Sequence, residues 1–505
     1  MVEDIKQRAP GLIRNTLSLA GVIVALVALA NMIFLLLVDV VSEHPRPYLG
    51  IFAYMIFPGI LGFGAFLIAA GLFLERRRRK RLAPGEEVHA LKIDFGNPRH
   101  RNAFVFLSTF LLVFLFLTAV GSMRAYEFTD SVQFCGQLCH TVMKPEFTAY
   151  LASPHARVRC VDCHVGPGAT WYVKSKMSGM RQVYYTMRGT FPRPIPSPVE
   201  NLRPAQQTCE QCHWPAKFYG GQFKVINHFG SDEKNTPRQV RLLIKTGGGS
   251  PTTGTVSGIH WHMNIANEVT YVATDRQRQV IPYIRVKDRN GRIEEYFARD
   301  AQLKPEELAK KEARRMDCVD CHNRPTHIYI PPDRSVDDLL TTHKADPTLP
   351  FFKQQAVAAL TQPYKTTDEG VTGIANALTN FYETKYPDVY KQKQAAVQDA
   401  VAAVQKVFQT SFFPEMKLDW RTHPNNIGHF YSAGCFRCHD GNHATKSGKV
   451  LSKDCRACHE IISETDGSAP GVETAVNPVE FKHPGGDLGD LTQVNCADCH
   501  GAQAQ

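Results

Sequence analysis

All 14 cysteines of this 505-residue chain fall into one recurring pattern, two thiols followed directly by a histidine. Six copies read Cys-x-x-Cys-His: Cys160/Cys163/His164, Cys209/Cys212/His213, Cys318/Cys321/His322, Cys435/Cys438/His439, Cys455/Cys458/His459 and Cys496/Cys499/His500. A seventh has one more residue between its thiols: Cys135, Cys139 and His140. Two thiols so spaced can add to the two vinyl groups of one haem, and the next residue then lies beneath the iron as an axial ligand. Zinc sites and redox dithiols give no reason for a histidine after every second cysteine, and a disulfide framework needs no histidines at all. The pattern predicts seven covalently bound haem c groups, with the seven motif histidines as proximal ligands.

The 20 histidines less these seven leave thirteen. His44, His89 and His100 precede the motifs and are set aside. The ten candidates for the sixth iron position are His155, His228, His260, His262, His327, His343, His423, His429, His443 and His483. Several sit beside a motif: His155 before Cys160, His327 after His322, His443 after His439. A histidine so close to a proximal one cannot reach the far face of the same iron, but it can reach a neighbouring haem. The preferred set is His155, His228, His262, His327, His443 and His483. His260 competes with His262, and His423 and His429 are held in reserve. The competing role for each is a solvated or propionate-binding histidine. The first haem is left without one, and Met143 is its candidate sixth ligand, which would raise its potential; a packing methionine is the alternative.

The elements that must carry these motifs divide at about residue 125. The stretch 1–124 reads as a membrane anchor with three transmembrane helices, at about 15–38, 49–74 and 103–121, each long enough to cross hydrocarbon. The run Arg76-Arg77-Arg78-Arg79-Lys80-Arg81 separates the second and third spans, so that loop is cytoplasmic by the positive-inside rule. The N-terminus then lies inside and the chain after about residue 122 outside. Span one is too long for a cleaved signal peptide. Covalent haem attachment independently puts the motif-bearing part in the periplasm of a bacterium, so the chain is expected to be a multi-pass protein of the inner membrane.

With about 55 residues per motif, the periplasmic part is expected to be mainly α and irregular, a multihaem cytochrome c domain packed on porphyrin, with little regular sheet. Residues 125–230 hold motifs one to three and a helix around Trp171–Gly189. Residues 231–300 hold no motif and read as a small β insertion (RQVRLLIKT, QVIPYIRVKD). Residues 301–420 open with a charged helix, KPEELAKKEARR, ahead of motif four, and carry a second helix near Lys391–Gln409. Residues 421–505 pack three motifs into a C-terminal trihaem module. The formal charge of +10 is offset by the propionates of seven haems, roughly −14 together, so the basic balance does not point to nucleic acid.

The stretches FCGQLCHTVMKPE and SPHARVRCVDCH, followed by a lysine-bearing amphipathic helix, resemble the NapC/NirT/NrfH family of membrane-anchored quinol dehydrogenases. The three-span anchor with seven motifs is similar, more specifically, to the inner-membrane heptahaem cytochromes of metal-reducing bacteria. The resemblance implies menaquinol as substrate, and periplasmic c-type cytochromes as partners in anaerobic or extracellular respiration. It also implies a quinol site bordered by a lysine and an acidic residue on the helix after motif two. Lys174 and Lys176 fall near the lysine position, and Gln182 stands where the family often has aspartate. Glutamine can hydrogen-bond a quinol but cannot take its proton, so Glu146 or a haem propionate is the candidate acceptor. Interfacial cations snorkelling to lipid are the plain reading of Lys174, Lys176 and Arg181. Competing functions are an electron-transfer subunit of a larger membrane complex and a terminal reductase of the nitrite or hydroxylamine class.

Overall fold

Apolar runs near the N-terminus form helices α1 (Thr16–Val41) and α2 (Phe57–Arg79). They pack through small residues: a side chain at Gly21 would meet the Gly64 carbonyl and Ile68, and one at Gly64 would meet Ala25. Backbones approach this closely where no Cβ intervenes, the usual way for apolar helices to associate. Asn15 caps α1, accepting from the Ser18 N–H at 2.8 Å, and the Ser18 hydroxyl donates to the Ile68 carbonyl at 3.3 Å. The computed structural model describes residues 15–41, 57–81, 96–138, 140–165, 169–199, 202–218, 220–247, 258–263, 267–301, 308, 310–465, 478–481, 483 and 494–501. The start of the second expected span, Cys139 and the side chain of His140 lie outside the described residues.

Two compact units emerge: Met1–Phe134 with Val165–Tyr184, and Cys135–His164 with Tyr185–Gln505. Among the described residues, two helices are long and apolar enough to cross a membrane, Thr16–Leu35 and Phe57–Arg78. The third expected span falls within α3 (Pro98–Thr129), whose exposed Phe106, Phe110 and Phe114 stack one turn apart at 6.5 and 6.2 Å. Helices α4 (His140–Leu151) and α5 (Ala169–Met187) follow, the first in the second unit.

In the second unit the main core is helical. It joins α6 (Pro332–Thr341), α7 (Phe352–Leu360), α8 (Thr367–Lys385) and α9 (Gln394–Ser411). Helix α9 buries Val397, Ala400, Val401, Val404 and Phe408, the three-and-four spacing of one helical face. Helix α8 starts where the Thr366 side chain accepts from the Glu369 N–H at 3.1 Å, and Gly370 lets the Phe408 ring lie directly against its backbone.

Sheet is more extensive than the composition suggested. Strands β1 (Gln222–Phe229), β2 (Pro237–Ile244) and a late strand β8 (His459–Thr465) form one antiparallel sheet in the order β1-β2-β8. A second sheet runs β6-β3-β4-β5-β7, with β3 at Glu268–Val272, β4 at Tyr283–Lys287, β5 at Ile293–Ala298, β6 at Arg314–Arg315 and β7 at His443–Ala444. The charged-helix expectation over KPEELAKKEARR is corrected at its end. Arg314 and Arg315 pair as strand with Tyr271 and Thr270, because Arg314 is drawn to the buried Asp320 carboxylate at 2.8 Å. Short strands from the motif segments complete sheets begun in the motif-free stretch, and composition carries no sign of such long-range pairing.

Candidate haem-binding sites

Motifs two to seven each form one short helical turn. The His322 N–H donates to the Cys318 carbonyl at 2.8 Å, His213 to Cys209 at 2.8 Å and His439 to Cys435 at 3.0 Å, so the first thiol and the histidine share one face. In CVDCH and CADCH the aspartate fixes the start of the turn. Asp320 accepts from the Asp317 N–H at 2.8 Å, Asp162 from that of Arg159 at 3.2 Å, and Asp498 from that of Asn495 at 3.1 Å. Asp320 is buried and also accepts from Tyr271, Arg278 and Arg314 at 2.7, 3.0 and 2.8 Å, which anchors motif four to the second sheet.

The described thiols differ in exposure. Cys212 of motif three and Cys499 of motif seven are exposed, as are Cys321 and Cys455, whereas the remaining described thiols are half-buried. The reason is the shortness of the turns. Cys212 directly follows the three-residue turn Cys209–Gln211, its N–H bonded to the Cys209 carbonyl at 3.1 Å, and Cys499 lies in the five-residue helix Cys496–His500. A single turn has one packed side, so the thiol off that side is covered by no other protein element.

Six motif histidines face a second histidine. His155 faces His213 at 6.1 Å between ring centroids, His327 faces His164 at 6.3 Å, and His260 faces His322 at 6.4 Å. His262 faces His439 at 5.9 Å, His429 faces His459 at 6.1 Å, and His483 faces His500 at 6.0 Å. Two imidazole nitrogens each about 2 Å from one metal put their ring centroids about 6 Å apart. Several rings are also aimed from behind. Nδ1 of His155, His260, His262, His327 and His439 lies 3.2, 3.0, 2.9, 3.0 and 2.8 Å from a carbonyl oxygen, which leaves Nε2 for a metal. Burial lowers the pKa of His164, His260, His262, His322, His429, His459 and His500 and brings His327 down to about 4, favouring the neutral form a metal needs.

His228 and His443 have other surroundings. His228 Nδ1 lies 3.2 Å from the buried Asp337 carboxylate. His443 is engaged through both nitrogens, Nδ1 with Asp440 at 2.9 Å and Nε2 with the Ile281 carbonyl at 2.7 Å. Burial opposes charge on His443, yet these bonds raise its pKa, the reverse of what ligation requires.

Among the described residues, no group of three or more His, Cys, Asp or Glu side chains could hold a metal, and no described thiol forms a disulfide. Two opposed imidazoles with adjacent free thiols and no third protein ligand fit a metal whose remaining ligands come from a macrocycle. The motifs also adjoin one another in chain order. The Cys135 and Cys160 thiols lie within electrostatic reach of each other, as do Cys163 and Cys209, and Cys209 and Cys318. Arg437, inside motif five, donates to the Asp320 carbonyl inside motif four at 2.8 Å. Cys435 and Cys458 interact, as do Cys455 and Cys496.

The residues considered for a quinol are dispersed. Lys176, on α5, donates to the Thr129 hydroxyl at 3.1 Å and lies 3.8 Å from the buried Asp130 carboxylate at the end of α3. Lys174 is exposed, with its ammonium 5.5 Å above the Trp171 ring. Gln182 donates to Ser178 at 3.1 Å on its own helix. Glu146 belongs to the second unit, where Tyr329 donates to its carboxyl at 3.3 Å and burial raises its pKa. Met143 lies three residues after His140 in α4, so the two positions share a helix face. Asp130 carries no motif, and nothing in the sequence around it singles it out.

The family model of the NapC/NirT cytochrome c family, N-terminal region, matches residues 97–194. Over 500 residues the chain is 46% identical to cytochrome c-type protein ImcH of Geobacter sulfurreducens, covering 99% of this chain and 97% of that protein. The chain belongs to the NapC/NirT cytochrome c family. It is thus a multihaem cytochrome c of electron transport, with covalently bound haem c. The family match spans α3, motifs one and two, and α5, the segment that also contains Lys176 and Asp130. No solved structure matches the chain significantly.

Proposed function

We propose that this cytochrome is an inner-membrane menaquinol dehydrogenase that passes electrons through seven haems to periplasmic c-type cytochromes. The observation that carries the electron-transfer part is the set of six opposed histidine pairs at 5.9–6.4 Å. Each bound haem supplies one-electron redox chemistry. At these six haems the protein's part is to hold iron on both faces and leave no coordination position for a small substrate, which favours electron carriage over nitrite or hydroxylamine reduction. His155, His327, His260, His262, His429 and His483 are the distal ligands in this reading. His260 and His429 take the places that the preferred set gave to His228 and His443. Cys212 and Cys499 are the second thioether positions of motifs three and seven, and their exposure leaves each thiol open to the vinyl group of a macrocycle laid against its turn. For the first haem, His140 and Met143 share a helix face, so only one of them serves as ligand.

The membrane end is read from α1, α2 and α3 as three crossings, with the basic run ending α2 inside and the motifs outside. Lys176 is the cation that binds a quinol oxygen. Asp130, held beside it, is the base that takes the proton, a role open to a carboxylate and closed to Gln182. Lys174 stays at the interface over Trp171. Adjacency of motifs one to seven in chain order supports one path from membrane to C-terminus.

The test is anaerobic mixing of the purified protein with a menaquinol analogue, followed at the haem absorption bands. Prompt reduction of most haem is expected. If dithionite reduces the haems but the quinol does not, the dehydrogenase reading fails and the subunit reading stands. Rapid turnover of nitrite or hydroxylamine without a partner would instead make it a reductase.

A further inference from the structure

Arg324 and His423 are each only 7% exposed and each keeps a buried nitrogen without a partner, the donor Nη2 of Arg324 and Nδ1 of His423. The guanidinium donates through Nε to the His327 carbonyl at 2.7 Å and through Nη1 to the Ser197 hydroxyl at 3.3 Å, and it lies 5.1 Å over the Tyr329 ring. These partners are all neutral. Among the described residues no carboxylate forms an ion pair with it, although Glu146 lies within electrostatic reach. His423 interacts with the Arg324 charge and with the Ile195 carbonyl, two residues from Ser197. Asn323 staples the two segments together, donating to the Pro424 carbonyl at 2.8 Å and accepting from the Asn426 N–H at 2.9 Å. A buried guanidinium with neutral partners is strongly unfavourable unless an anion completes it, and a fork of N–H donors suits a carboxylate.

We infer that Arg324 and His423 form a socket for a carboxylate, the propionate of the haem carried between His164 and His327. The assignment rests on the ligation reading above. Arg324 is bonded to the backbone of His327, whose ring faces His164 and whose Nδ1 bonds the Glu146 carbonyl at 3.0 Å. A propionate reaching past that ring would accept from Arg324 Nη2 and, with the imidazole proton on Nδ1, from His423, satisfying both orphaned nitrogens. Arg324 would then set the charge around that haem.

The experiment is a potentiometric titration of the intact holoprotein, followed optically and by electron paramagnetic resonance, with haem counted by mass spectrometry. Arg324→Gln removes a positive charge, so the oxidised iron is favoured. One low-spin haem should fall in potential by about tenfold in its redox equilibrium, about 59 mV for one electron. Arg324→Lys should restore most of the shift, and His423→Gln should lower the same potential by less. If Arg324→Gln fails to mature, His423→Gln and Arg324→Lys decide. Unmoved potentials with a full haem complement overturn the socket, as does a new high-spin haem in His423→Gln, which would make His423 an iron ligand. A saturable shift of the wild-type potential on adding acetate would mean that the socket takes a free anion, and overturns the propionate assignment. His327→Ala tests the reading beneath: one haem should turn high-spin, and if none does, it is the ligation that fails.

Discussion

His260 and His262 lie two residues apart on one short turn, Ile259–Met263, yet face different motifs, His322 at 6.4 Å and His439 at 5.9 Å. One short segment thus sets a histidine opposite each of two successive motifs. Its position is set by the His260 N–H bonded to the Thr246 carbonyl at 3.1 Å, at the end of the first sheet.

Replacing either ring should open one iron. His260→Ala and His262→Ala are each expected to turn one haem high-spin, and the double variant two, by electron paramagnetic resonance of the oxidised protein. His429→Ala should do the same. His443→Ala should leave the low-spin signals intact, because both its nitrogens serve Asp440 and Ile281. A high-spin signal in His443→Ala would reverse the assignment.

The lysine–carboxylate pair gives a kinetic prediction. Asp130→Asn keeps the shape but removes the base, and should slow reduction by a menaquinol analogue about 100-fold, the low end for loss of a positioned base. Lys176→Met should raise the quinol concentration needed for half-maximal rate. Haem content and reduction by dithionite should be unchanged in both. Equal loss from Lys174→Met would move the site towards Trp171.

Gly370 tests the helical core. A Cβ there would run into the Phe408 ring, where α8 and α9 meet. Gly370→Ala should destabilise this core by about 1–3 kcal/mol through overpacking, despite alanine's better helix propensity, and Gly370→Ala with Phe408→Leu should recover part of it. Thermal unfolding followed by far-ultraviolet circular dichroism reads the change. A more stable single variant would refute the close contact.

Acid should loosen the same lobe. Burial would raise the Asp346 pKa, but hydrogen bonds from Thr348 and Lys393 hold it below the ordinary carboxylate value. A depressed carboxylate contributes stability above its unfolded pKa of about 3.9, and that contribution is lost as pH falls through the folded value. Asp346→Asn should therefore lower the melting temperature near neutrality and remove part of its decline below about pH 4. Parallel acid limbs in variant and wild type would exclude the group.

What the residues determined alone is local. A thiol and a histidine within one turn share a face wherever the turn is placed, and an apolar run of membrane length is helical because its backbone must bond within itself. The aspartate of CVDCH caps its own turn for the same reason. The tertiary structure decided the partners, and which thiols are covered: Cys212 and Cys499 share their motif with half-buried Cys209 and Cys496 but stand exposed. Chain proximity favoured His443, four residues after His439, but β7 pairs it with Ala298 and turns its ring to Asp440 and Ile281. His459 begins β8 opposite Ile244, and the ring that faces it is His429, from before motif five. Lys176 could be nominated from its helix, whereas Asp130 became visible only where α5 meets the end of α3. Opposed side chains belong to segments far apart in the chain, and their meeting depends on sheet register and helix packing, which spacing along one segment does not encode.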